Sequence, residues 1–216
     1  MRTEVTDKIT HFFSQYPKRA HPKGQILVFA DESPEYIFYI AKGQVRKYDV
    51  TYRGEEVVIN IFKSPSFFPM SWVINHTPNK YFYKAETEAQ LHIVPAEDAL
   101  NFLKQNPDVM LDLLGRIYQG LEGVYGRLVH LMSGTARSRM IYELIIECRR
   151  FGQKQPDGSF VVAVNELDLA ARSGLSRETI SREIGKLKGL GWVTSNRKDI
   201  IVHDIVQLEQ ALGSEV

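Results

Sequence analysis

From Met110 onward the apolar residues keep one rhythm: Met110, Leu114, Ile117, Leu121, Val124, Leu128 and Leu131. The steps alternate four and three, which is a heptad seam held over three heptads. Pro107 suits the first turn of a helix, and Asn106 suits the N-cap before it. A helix of about 25 residues spans about 38 Å. Such a rod divides the chain into a part before it and a part after it. A strict a/d stripe is narrower than an ordinary core-facing surface. These seven residues are therefore expected to pair two copies of the chain; a long helix buried against its own domain is the alternative. Gly115, Gly120, Gly123 and Gly126 interrupt the same helix, each at about 1 kcal/mol against alanine. Either they let another helix approach closely, or the helix is marginal and its order depends on a ligand.

Before the rod the period is two. Short runs at 25–29, 36–40, 44–50, 55–62, 81–86 and 90–94 are rich in β-branched and aromatic residues, with turn signals at Lys42-Gly43 and Arg53-Gly54. Twelve of the 23 aromatic residues fall between Tyr36 and Tyr83. Short strands at such spacing predict an antiparallel β-barrel or sandwich rather than βαβ units. A short helix over 4–14 precedes them.

Composition narrows the class. At 216 residues with 44% hydrophobic and 25% charged side chains, the chain is long enough for a real core and not mostly disordered. No apolar run approaches the length of a membrane span, and the first sixteen residues carry no signal-peptide core, so no membrane partner and a cytoplasmic location are expected. Cys148 is the single cysteine, which excludes an intrachain disulfide and a cysteine-rich zinc or iron–sulfur site. The six histidines show no metal-ligand spacing, so neither a metal nor another cofactor is expected. Net charge is +1, so no global basic field announces a nucleic acid. Residues 172–188 differ, with Arg172, Arg177, Arg182, Lys186 and Lys188 against Glu178 and Glu183.

After the rod, Ser133-Gly134-Thr135 reads as a hinge, and a helix over 136–150 puts Met140, Ile141, Leu144, Ile145 and Cys148 on one face, where Cys148 is a small core residue. Asn165 is an N-cap for a short helix that Gly174 ends, and Ser176 caps a second helix from Arg177 to about Lys188. Helix, glycine-containing turn and helix make a helix-turn-helix pattern. At about 100° per residue, Ile180, Ile184 and Leu187 share one face of the second helix, while Glu178, Ser181, Arg182 and Gly185 share another. Arginine bonds guanine O6 and N7 bidentately, glutamate accepts from cytosine N4, and serine is a short adaptable contact. Glu178 and Arg182 are also spaced as an acid–base pair. Strands over 192–194 and 200–203 then flank a basic turn, a wing whose Arg197 and Lys198 either touch phosphate or stay free.

Ser176-Arg177-Glu178-Thr179-Ile180-Ser181-Arg182-Glu183-Ile184, followed by Leu187, Leu190, Gly191 and Trp192, resembles the helix-turn-helix signature of the CRP/FNR family of bacterial transcription regulators. The order of parts is similar too. Lys23-Gly24 with Phe29, Tyr39-Ile40 with Gly43, and Gly54-Glu55-Glu56 resemble that family's β-roll landmarks. The resemblance implies an α+β fold: an N-terminal antiparallel, cupin-like β-roll sensor over 1–105, a dimerisation helix and hinge over 106–134, and a winged helix-turn-helix over 135–216. It places Arg177, Glu178, Ser181 and Arg182 on bases, in half-sites of TTGA-like or TGTGA-like sequence. Ser176, Thr179 and Lys188 join Arg197 and Lys198 as candidate backbone contacts on double-stranded DNA. It implies a homodimer on a pseudo-palindrome, with RNA polymerase as a partner through the loop at 153–159.

The family's effector residues are missing. Its cyclic-nucleotide site uses glycine N–H groups, a glutamate and an R-S-A motif; the matching positions hold Pro65, Pro69, Met70 and Asn79-Lys80-Tyr81. The iron–sulfur cysteines are absent as well. Phe67, Phe68, Trp72, Lys80, Tyr81 and Tyr83 remain as a candidate effector pocket for an unknown flat or apolar small molecule, unless these rings simply fill the roll. The expected function is a sequence-specific DNA-binding regulator controlled by an effector other than cyclic AMP. A small-molecule sensor that signals through protein partners, with a vestigial DNA domain, is the alternative; the intact Glu178/Arg182 face argues against it. No glycine-rich phosphate loop, H-E-x-x-H or G-x-S-x-G motif occurs, so no catalytic residues and no enzyme are expected.

Overall fold

The computed structural model describes residues 2–196 and 198–213, without the side chains of Arg2, Thr3 and Trp72. Arg197 and the ring of Trp72, both named above as candidates, therefore lie outside the described residues. The chain forms two compact units, Met1–Ile117 and Tyr118–Val216.

The first unit runs α1 (Arg2–Ser14), β1 (Lys18–His21), β2 (Ile26–Val28), β3 (Tyr36–Lys42), β4 (Gln44–Val50), β5 (Glu56–Lys63), β6 (Ser66–Phe68), α2 (Ser71–Asn75), β7 (Phe82–Ala85), β8 (Ala89–Pro95), α3 (Ala96–Gln105) and the start of α4 (Pro107–Ser133). Two four-stranded antiparallel sheets form, in the orders β1-β8-β3-β6 and β2-β7-β4-β5. Strand alternation sorts the side chains into two cores. Along β3, Ile37 and Tyr39 join Phe67, Val94, Phe102 and Leu103 in a core closed by α1 and α3, where Phe12 stacks on Phe102 at 4.0 Å. Phe38 and Ile40 face the other way, with Val45, Phe68, Tyr83 and Leu91 inside the roll.

Four elements here were not expected from the sequence: β1, β6, α2 and α3. Lys18–His21 has no β-branched residue, and its pairing with β8, Lys18 opposite His92, makes it a strand. Asn106 also differs from its expected role. Its backbone carbonyl accepts from the N–H groups of Val109 and Met110 at the start of α4, but its side-chain amide donates back to the Phe102 carbonyl at 2.8 Å. The side chain thus closes the end of α3. Met110, the first residue of the expected seam, is half-buried against the α1/α3 core.

The second unit holds the rest of α4, then α5 (Ala136–Phe151), β9 (Gln153–Lys154), β10 (Phe160–Val162), α6 (Glu166–Ser173), α7 (Arg177–Gly189), β11 (Val193–Ser195), β12 (Ile200–Val202) and α8 (Ile205–Gly213). Its antiparallel sheet has the order β11-β12-β10-β9, so the wing pairs with a hairpin, unforeseen in the sequence, that closes the loop at 153–159. One core gathers Met140, Leu144, Cys148, Leu169, Ile180, Ile184, Leu187 and Val202. Burial pushes the Cys148 thiol up to about 12, so it packs as a neutral small residue.

Candidate nucleic-acid interface and effector roll

Local chemistry sets the two helices of the motif. Asn165 caps α6 by accepting from the Asp168 N–H at 3.0 Å, and the Asp168 carboxylate accepts from the Asn165 N–H, a reciprocal capping box. Gly174 ends α6 in the left-handed region at φ 63°, where a glycine is favoured. Ser176 caps α7 by accepting from the Thr179 N–H at 3.2 Å, a contact of about 1 kcal/mol. Ile180, Ile184 and Leu187 are fully buried beneath α7. Arg177, Glu178, Ser181, Arg182 and Gly185 are all exposed on its outer side, as are Ser176, Lys188 and, at the wing, Lys198, while Thr179 is half-buried. The hydrogen bonds of Glu178 to its own backbone N–H and to Ser176, with the Arg177 charge nearby, hold its carboxyl below the usual range, so it is an acceptor at neutral pH.

The expected Glu178–Arg182 pair is not what forms. Arg182 leans on the buried Glu183 at 3.6 Å, and Lys186 reaches the same oxygen at 2.7 Å. Glu183 is the adjacent residue and is fixed by the core, so it wins over an exposed partner one turn back.

Three sets of buried or half-buried charges pack around this motif, and the sequence reading missed them. Arg127 of α4 grips Glu143 of α5 with Nε at 2.5 Å and Nη2 at 2.9 Å. Burial alone would lower the Arg127 pKa, but the hydrogen bond and charge of Glu143 outweigh it and leave it raised. Arg172 of α6 pairs with Glu147 of α5, both nearly fully buried. Arg139 of α5 donates to the carbonyls of Ser173 and Gly174. Gly126 also acquires a role. A Cβ there would overlap the Tyr142 hydroxyl, whereas Gly115, Gly120 and Gly123 face open space.

The roll does not assemble the candidate pocket as one site. Phe67 faces the α1/α3 core and Phe68 the interior, because neighbours on a strand point to opposite faces. Inside, Phe68 stacks on Tyr83 at 5.0 Å, and Phe62 lies 5.8 Å from Phe68. Lys80 is exposed and pairs with Asp31 at 3.6 Å. Asn79 is buried and donates to the carbonyls of Phe29 and Tyr81. The Pro65 carbonyl accepts from Arg116 of α4 at 2.7 Å. Lys47 is the inward-facing cation that the sequence reading passed over. Its Nζ lies 4.0 Å from the Tyr81 ring centroid, and burial pulls its amine below the usual lysine value. Its signal was two-residue alternation from Val45. Among the described residues no group of three or more His, Cys, Asp or Glu is placed to hold a metal ion, and no helix is long and apolar enough to cross a membrane.

A β-roll followed by a long helix and a winged helix-turn-helix is the architecture of a two-unit DNA-binding regulator. Residues 18–106 match the cyclic nucleotide-binding domain, and residues 132–211 match the Crp-like helix-turn-helix domain. The chain is 30% identical over 195 residues to the global nitrogen regulator of Synechococcus elongatus, covering 87% of this chain and 86% of that one. It is 24% identical over 177 residues to the transcriptional regulator SdrP of Thermus thermophilus, covering 82% and 84%. A solved CRP/FNR-family transcriptional regulator, also from Thermus thermophilus, shares the fold at TM-score 0.75 and 22% identity, over 93% of this chain and all of that one. The chain belongs to the CRP/FNR family and is a DNA-binding transcription regulator.

Proposed function

We propose that the protein works as a homodimer paired along α4, with each α7 entering a major groove of a pseudo-palindromic site. One observation carries the reading: Arg177, Glu178, Ser181 and Arg182 are all exposed on one side of a helix whose other side is sealed in the core. Arg182 takes the guanine of a T-G-A core, and Glu178 accepts from a cytosine amine. Ser176, Thr179, Lys188, Arg197 and Lys198 hold the phosphates. Leu114, Ile117, Leu121, Val124, Leu128 and Leu131 are 37% to 57% exposed, a continuous apolar stripe that supports pairing with a second copy. Leu111, Tyr118, Tyr125 and Met132 repeat every seven residues beside it and are also exposed, which widens the surface needing cover. The roll answers an effector other than cyclic AMP, in the cytoplasm, and the hairpin at 153–159 faces RNA polymerase.

Selection from a random DNA library tests the reading. Enriched sites should show two-fold symmetry, with half-sites about 34–36 Å apart. Asymmetric sites would overturn the paired geometry.

A further inference from the structure

Arg139 lies in the first turn of α5, outside the helix-turn-helix, yet it is bound to the turn of that motif. Its Nε and Nη2 donate to the Ser173 carbonyl at 3.2 and 2.7 Å, and Nη2 also donates to the Gly174 carbonyl at 2.9 Å. Carbonyls at a helix end have no N–H of their own helix left to reach them, and a guanidinium is suited to two of them at once. Arg172, one residue earlier, is held by Glu147, which is also on α5. Three consecutive residues that end α6 are thus fixed to one neighbouring helix by charge. Ser176, the cap of α7, follows Gly174 by two residues, so little chain is left to absorb a change of angle. The fit is tight, since a Cβ on Gly174 would stand 3.1 Å from Arg139 Nη2. Arg139 also donates its backbone N–H to the carbonyl of Thr135, the cap of α5 that follows the end of α4 by two residues.

We propose that Arg139 is a positioning residue for base reading. It fixes the turn from which α7 projects, and it ties that turn to the first turn of α5. It acts through the turn carbonyls and not on DNA. The proposal rests on the reading of α7 as the recognition helix.

The test compares R139M, R139K and R182A by their affinity for the selected pseudo-palindrome and for a scrambled duplex, across salt concentrations. R139M keeps the apolar stem and removes the fork. It should lose about ten-fold in affinity for the selected site, with scrambled affinity and salt slope unchanged. R139K, which keeps the charge but not the fork, should fall between R139M and the parent. An R139M protein that binds both duplexes more weakly and loses about one unit of salt slope would make Arg139 a phosphate contact and overturn the proposal. So would an R139M protein that melts earlier but keeps the parental preference. If R139M does not fold, R139K is judged by the same two criteria. R182A separates the two ideas. A lost preference in R182A beside an intact one in R139M sinks only the positioning role, whereas an intact preference in R182A sinks the reading face itself.

Discussion

The roll and the winged unit use their charges in opposite directions. In the roll they are spent internally: Arg46 grips Glu86 at 2.5 and 2.8 Å, Lys84 grips Glu56 at 2.5 and 2.6 Å, Lys47 lies over Tyr81, and the Asn79 amide holds two backbone carbonyls. In the winged unit the buried Arg172–Glu147 pair and the half-buried Arg139 serve to aim a helix whose own Arg177, Glu178 and Arg182 remain exposed. A surface kept for a partner leaves polar groups exposed over a rigid core; a closed interior consumes them.

The sharpest break would come at α4, whose apolar stripe runs through both units. Asp at Leu121 and Leu128 would place unpaired charge in the proposed seam, costing several kcal/mol per dimer. Sedimentation of the double variant should give a monomer, and specific DNA binding should vanish with it. A variant that stays dimeric would put the interface elsewhere and leave the stripe unexplained.

A paired experiment comes next in size. Asn79→Ala removes the buried amide that holds the Phe29 and Tyr81 carbonyls, and should cost about 1–3 kcal/mol of stability while leaving sequence preference intact. Arg182→Ala should do the reverse: about 1–3 kcal/mol of affinity per half-site and relaxed choice at one G·C pair, with no change in melting. Arg182 is exposed and its ion pair with Glu183 is a long 3.6 Å, so little folding energy depends on it. If both variants altered stability and neither altered preference, the contrast between the units would be false.

These residues also show what the sequence could and could not tell. The two faces of α7 were legible because a helix repeats every 3.6 residues and the core takes one side. The caps Asn165, Gly174 and Ser176 were legible because each acts on its own backbone nearby. Arg139 was not, since the carbonyls it holds lie 34 and 35 residues further on and have no side-chain signature. The candidate pocket dispersed for a related reason. Phe67 and Phe68 are adjacent in sequence but opposite in the sheet, and composition cannot sort a cluster of rings by face.

The smallest expected effect is none at all, in the response to cyclic AMP. The ligand asks for a carboxylate at its ribose, an arginine at its phosphate, and free N–H groups beside it. Pro65 and Pro69 have no N–H to give, and the Pro65 carbonyl is already engaged by Arg116. At the position expected from the sequence to match that arginine, Asn79 is buried and its amide donates to the Phe29 and Tyr81 carbonyls. Lys80 could attract a phosphate, but it is exposed and faces Asp31, so solvent and a carboxylate compete for it. The interior of the roll is filled by the stacked rings of Phe68, Tyr83 and Phe62. Titration with millimolar cyclic AMP should give no saturable heat, and affinity for the selected DNA should not move. A micromolar dissociation constant would mean that the roll can open a site that its own side chains now fill, and that the two units differ less than their charges imply.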